Sequence, residues 1–159
     1  AALNDMLCDA QTLMQIQRYF EFVSERVARN GGSFVKTVGE SVLAIFVEPA
    51  AAIETGLGLS AFRSSWPSLQ PRAAVHRGAV VVTTFNGQLD YFGKTVNALW
   101  EVLAAADGGE LTTTNATASD PEVAAQLRNE KPAGEIQQVD LPGSSQAFVH
   151  RYGMRECPL

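Results

Sequence analysis

The chain has 159 residues, 46% of them hydrophobic, enough for one substantial core, and neither length nor composition suggests two, so residues 1–159 are expected to form a single domain. Twelve Lys and Arg against 17 Asp and Glu give a net charge of −5, with no basic cluster to follow a phosphate backbone, which argues against nucleic acid as a partner. Cys8 and Cys157 lack CxxC spacing and a His cluster, which argues against a disulfide framework or zinc site and suits a reducing cytosol, while no apolar stretch is long enough to span a membrane, so no membrane contact is expected of this segment.

Leu13, Ile16, Phe20, Val23 and Val27 recur at 3,4,3,4 spacing and predict a helix over 4–29 with one apolar face, expected to be core rather than a partner surface. Asn30-Gly31-Gly32 stops it. Two strands, Ser33 to Val38 and Ser41 to Val47, are joined so tightly by Gly39-Glu40 that they must form an antiparallel hairpin. Glu48-Pro49 opens a second helix, from Ala50 to about Ser64, and Pro67 and Pro71 close that connection. In "RAAVHRGAVVVTTF" Gly78 divides a third from a fourth strand, read as a second hairpin. Asn86-Gly87 marks a turn, and Val96, Leu99, Trp100 and Leu103 predict a helix over 94–106, ended by Asp107-Gly108-Gly109. "ELTTT" is a short strand, Ser119-Asp120-Pro121-Glu122 starts a short helix, and "IQQVDL" and "AFVHRY" form a last strand pair around Pro142-Gly143.

Helices interspersed with antiparallel hairpins predict an α+β sandwich with one sheet face covered by helices. The open face would carry too many Val, Ile and Phe side chains for water, and self-association is the expected cover.

The stretches "NGGSFVKTVGESVLAIF", "AAVHRGAVVV", "DYFGKTVNALWEVL" and "GGELTTTNAT" resemble, in order and at compatible spacing, the blocks of the class III nucleotidyl cyclase catalytic domain over nearly the whole chain. The resemblance implies a ferredoxin-like α+β core that works as a homodimer or heterodimer and converts ATP or GTP to the 3′,5′-cyclic nucleotide and pyrophosphate. It also implies two Mg2+ or Mn2+ ions held by carboxylates while the ribose 3′-hydroxyl attacks the α-phosphorus in line with departing pyrophosphate.

Residue by residue, Glu40 takes the place of the family's second metal-binding aspartate, on a side chain one methylene longer. Lys36 matches the adenylyl members' lysine that donates to the adenine ring, and Asp90 the aspartate that accepts from its exocyclic amine. A cationic donor beside an anionic acceptor favours ATP. Asn97 matches the ribose-orienting asparagine. Three features depart from the pattern. Glu101 stands where an arginine neutralises charge on the α-phosphate. The loop Leu141-Pro142-Gly143-Ser144 lacks a phosphate-facing lysine, for which Lys94 is a candidate substitute. The first metal aspartate belongs to a D-x-x-G-F-T strand end, and "AALND" resembles the residues immediately after that strand, so either the strand lies upstream of Ala1 or the site has lost a ligand.

A lone lysine near a strand end is usually a snorkelling side chain, and a turn glutamate is usually just turn polarity. The joint occurrence of Lys36, Asp90, Asn97 and Glu40 at family spacing reverses that prior. His76 reads as a strand terminator without a partner, His150 as an outward residue, Trp100 as core or dimer contact, and Tyr91 and Phe92 as packing around the nucleotide wall. Two functional classes stay open: an adenylyl cyclase domain of low turnover, and a non-catalytic cyclase-homology module that dimerises or senses nucleotide. A diguanylate cyclase is disfavoured because "VGES" lacks the doubled glycine and acidic pair.

Overall fold

The computed structural model describes residues 2–62, 70–142 and 146–156, with side chains from residue 9 onward. Ser64 and Pro67 fall outside these residues, as do Gly143, Ser144, Cys157 and the Cys8 side chain, but the second helix stops short of its expected end, with Phe62 already extended.

Helix α1 spans Ala2–Arg29. Its end is fixed by Gly31 at φ 76°, with Gly32 N–H donating to Val27 O at 2.9 Å and Gly31 N–H to Ala28 O at 3.1 Å, the paired bonds of a Schellman stop. Only the C-terminal part of the apolar stripe is core. Val23 and Val27 are buried with Leu59 and Met154, whereas Leu13 and Met14 are exposed. Helical spacing makes a stripe, but burial also needs a surface to meet it, and among the described residues the buried stripe positions are Val23 and Val27.

Strands β1 (Ser33–Val38) and β2 (Ser41–Ile45) form the expected hairpin, with Val38 opposite Ser41 across a two-residue turn led by Gly39 at φ 59°. Helix α2 (Pro49–Leu57) starts with proline in its first turn and runs into a 3-10 turn, Gly58–Ala61. Gly56 is required where α2 crosses the sheet, since a Cβ there would stand 2.7 Å from Leu111 Cδ1.

The expected third-to-fourth-strand hairpin is not formed. Strand β3 (Ala73–Val75) pairs in parallel with β6 (Glu110–Thr114), while β4 (Val81–Phe85) pairs with β5 (Gln88–Phe92) across Asn86-Gly87. Both turn residues have positive φ, 50° and 76°, the geometry that matches a two-residue turn to strand twist. Gly78 allows close packing, because a Cβ there would meet Thr95 Oγ1 at 2.5 Å. Helix α3 (Lys94–Ala104) follows β5 through Gly93 at φ 124°.

After β6 come α4 (Asn115–Ala118), α5 (Pro121–Leu127), β7 (Gln137–Asp140) and β8 (Gln146–Gly153). Asp120 caps α5 through the N–H groups of Glu122 and Val123. The main sheet has the order β3-β6-β8-β7, flanked by two separate hairpins. Ile53, Leu57, Leu111, Val123 and Leu127 form its core. Arg151 on β8 holds Glu110 through two bonds of 2.9 Å, and Arg155 reaches Glu54 and Glu130 at 2.7 Å each.

Among the described residues the outer edges of β2 and β3 have no ladder partner. Both line a cavity of about 570 Å3 with Val42, Ala44, Phe46, Ala73 and Val75 in its wall. Unpaired edges of this kind are templates for a further strand.

Candidate functional site

Lys36 lies on β1 just after a register shift between Phe34 and Lys36, and such a bulge re-aims the side chain beyond it. Its ammonium meets Asp90 of β5, Nζ to Oδ2 2.8 Å, joining two hairpins that share no ladder. Asp90 is fixed a second time: Tyr91 N–H donates to its Oδ1 at 2.8 Å. The hydrogen bond from Lys36, and next the one from Tyr91, hold its carboxyl below the usual aspartate value, so the pair stays charged until pH falls through that lowered value. Phe92 adds a contact that sequence reasoning misses, its ring centroid 5.2 Å beneath Lys36 Nζ. Strand alternation is the available signal, since residues 90 and 92 share a face.

Asn97 lies in the first turns of α3, exposed, its N–H bonded to Gly93 O at 3.1 Å. Glu101 stands one turn further along on the same helix face, also exposed. Glu40 is exposed at the tip of the first hairpin and lines the 570 Å3 cavity, whose wall includes none of Lys36, Asp90 and Asn97. The geometry thus brings Lys36 and Asp90 together, places Asn97 on the helix immediately following β5, and sets Glu40 in the turn of the first hairpin while Lys36 lies mid-strand opposite Leu43.

A divalent ion needs several oxygen ligands. Among the described residues no group of three or more His, Cys, Asp or Glu could hold one, so Glu40 and the described residues around it do not by themselves fit a metal centre.

His76 has a partner after all: its Nδ1 lies 2.8 Å from Thr114 Oγ1, which stands 3.4 Å from Thr117 Oγ1. Arg77, the next residue, pairs with Asp120 at 3.1 Å. His150 is half-buried, with Nε2 3.4 Å from Asn115 Oδ1. Burial lowers the pKa of both histidines from the usual 6.5. The folded state therefore binds fewer protons than the unfolded state below that value, and stability present above pH 6.5 is lost as pH falls toward the lowered values. Denaturant midpoints are expected to be lower at pH 5.5 than at 7.5, with a smaller difference in His76→Asn; an unchanged difference would remove His76 from the account.

Lys94 shares a second cavity, about 380 Å3, with His76, Asn115, Leu141 and Pro142. It therefore stands beside the start of the loop in which the family resemblance expects a lysine.

No family model matches the sequence. An adenylate cyclase of Glutamicibacter nicotianae is 33% identical over 111 residues, 69% of this chain and 27% of that protein; the chain thus spans about a quarter of the length of this curated relative. Among solved structures, an adenylate cyclase of Trypanosoma brucei in its monomeric state matches with TM-score 0.72 at 15% identity, covering 96% of this chain and 84% of that one. An adenylate/guanylate cyclase/hydrolase from Silicibacter pomeroyi gives TM-score 0.69 at 19% identity, covering 93% and 88%. The adenylyl cyclase CyaB of P. aeruginosa gives 0.63 at 16%, covering 92% and 84%. At these identities the structural matches establish the α+β fold.

Proposed function

We propose, from the premise that this chain belongs to the class III adenylate/guanylate cyclase domains, that it binds ATP through Lys36 and Asp90 and serves cyclic-nucleotide signalling as a cyclase domain of low turnover. The observation that carries this reading is the 2.8 Å Lys36–Asp90 contact, a donor and an acceptor held side by side at a half-buried position. An adenine edge presents one acceptor nitrogen beside one amino donor, so the base can exchange the ion pair for two hydrogen bonds, one to each partner. Asn97 orients the ribose. The reaction joins the ribose 3′-oxygen to the α-phosphorus, breaks the bond to pyrophosphate and releases the hydroxyl proton.

A second chain completes the site in this reading. The β4–β5 hairpin exposes Val81 and Phe85 on the face that carries Asp90, and Val82 and Leu89 on the other. An arm apolar on both faces is suited to a partner domain, as homodimer or heterodimer. The metal ions that the family resemblance implies need ligands beyond Glu40, which such a partner or a further segment would supply.

Glu101 favours a second reading, a non-catalytic nucleotide-sensing module, because it places an anion on the Asn97 face where the resemblance expects a cation. Titrating the protein with ATP and with GTP tests the common part of both: ATP is expected to bind about tenfold or more tightly, and equal or reversed affinities would overturn the Lys36–Asp90 assignment.

A further inference from the structure

The Lys36–Asp90 pair rests on a third group. Lys36 comes from one hairpin and Asp90 from another, and the two hairpins belong to separate two-stranded sheets. A flexible four-carbon stem with three rotatable donors does not hold a fixed aim without further constraint. Phe92 supplies it. Asp90 and Phe92 alternate on β5, and their cross-strand partners Thr83 and Val81 confirm that both side chains lie on the same face. The Phe92 ring lies 5.2 Å from the Lys36 ammonium, inside the range at which an aromatic face attracts a cation, while Asp90 stands 2.8 Å from that ammonium. Carboxylate and ring therefore fix one cation between them, and 49% of Phe92 remains exposed.

We propose that Phe92 is a positioning residue for purine selection: its ring face holds the Lys36 ammonium at Asp90, so that the donor and acceptor meet an incoming adenine edge already spaced. The inference rests on the nucleotide reading given above. A leucine at 92 would preserve apolar bulk but offer no π face; the lysine would then sample other rotamers and donate equally well to acceptors elsewhere on a base. Tryptophan, with the strongest face for a cation, would keep the constraint.

The test compares wild type, Phe92→Leu and Phe92→Trp by two measurements. In the nucleotide-free protein, NMR of the Lys36 ε-methylene reports the ring current of the aromatic face; the upfield shift is expected in wild type and Phe92→Trp and lost in Phe92→Leu. Titration with ATP and GTP reads selectivity, and the ATP-to-GTP affinity ratio is expected to fall about two- to fivefold in Phe92→Leu, the size of a surface cation–π contact, and to be kept in Phe92→Trp. An unshifted Lys36 signal in wild type, a shift surviving in Phe92→Leu, or a ratio that falls equally in Phe92→Trp would overturn the proposal. A ring-current shift that behaves as expected in a wild-type protein with no preference for ATP would instead overturn the nucleotide reading and with it the selective role, while leaving the platform itself intact.

Discussion

Where a partner or further segment completes the metal site, Glu101→Arg is expected to raise cyclic AMP formation from Mn2+ and ATP by about three powers of ten or more over a parent chain expected to turn over little. Residues 97 and 101 are one helical turn apart on α3, both exposed, so a group at 101 shares the helix face from which Asn97 is proposed to orient the ribose. Charge builds on the phosphate oxygens in the transition state, and a single arginine placed against it is worth about 10^3 to 10^5 in rate. A glutamate there withholds that stabilisation and adds repulsion. Robust turnover by the parent chain would refute the weight placed on Glu101. An unchanged rate in Glu101→Arg would move the defect to the metal ligands, where Glu40 stands without a ligand cluster among the described residues.

Leu57→Ala is expected to cost about 2–5 kcal/mol of unfolding free energy, the largest single-site stability effect in this account. Leu57 is fully buried among Ile53, Leu111, Val123 and Leu127, at the seam between α2 and β6, and close packing on every side limits how far neighbours can collapse into the space left behind. Removing Arg155, by contrast, breaks two short ion pairs with Glu54 and Glu130 at a site whose side chain is 42% exposed, and should cost about 1 kcal/mol or less. Urea unfolding of both variants at neutral pH compares them directly. A Leu57→Ala loss below that of Arg155→Ala would mean that the core has been placed wrongly.

Local signals in the sequence identify the elements whose boundaries are decided locally. Asn30-Gly31-Gly32 marks the stop of α1, Gly39-Glu40 the first hairpin, Asp120-Pro121 the start of α5. The second hairpin is misplaced when its strands are divided at Gly78, a residue whose missing side chain serves packing against Thr95, because the chain actually reverses at Asn86-Gly87. Strand β5 is hard to see as a strand: five residues with an aspartate at their centre show little alternation. Its charge meets the Lys36 ammonium of β1, 54 residues away. The parallel β3–β6 pairing joins residues 38 apart and likewise leaves no local trace. The N-terminal half of α1 shows the converse limit, where periodicity is present but Leu13 stays exposed among the described residues.

In the site, family spacing names Lys36 and Asp90, and the geometry brings them into contact; Asn97 and Glu40 are placed by the fold but not joined to that pair. Strand alternation puts Phe92 on the face of Asp90, but its contact with Lys36 and the His76–Thr114 bond depend on tertiary contacts between elements that are not neighbours along the chain. Each is built from residue types that are ordinary in a strand.

The most direct measurement is the structure of the protein bound to a non-cyclisable ATP analogue, supported by titration of the Lys36 and Asp90 side-chain NMR signals. The account predicts the adenine edge within hydrogen-bond distance of Lys36 Nζ and an Asp90 carboxylate oxygen, with both signals moving on binding. An analogue seated elsewhere, with the 2.8 Å ion pair undisturbed and its signals unshifted, would contradict it.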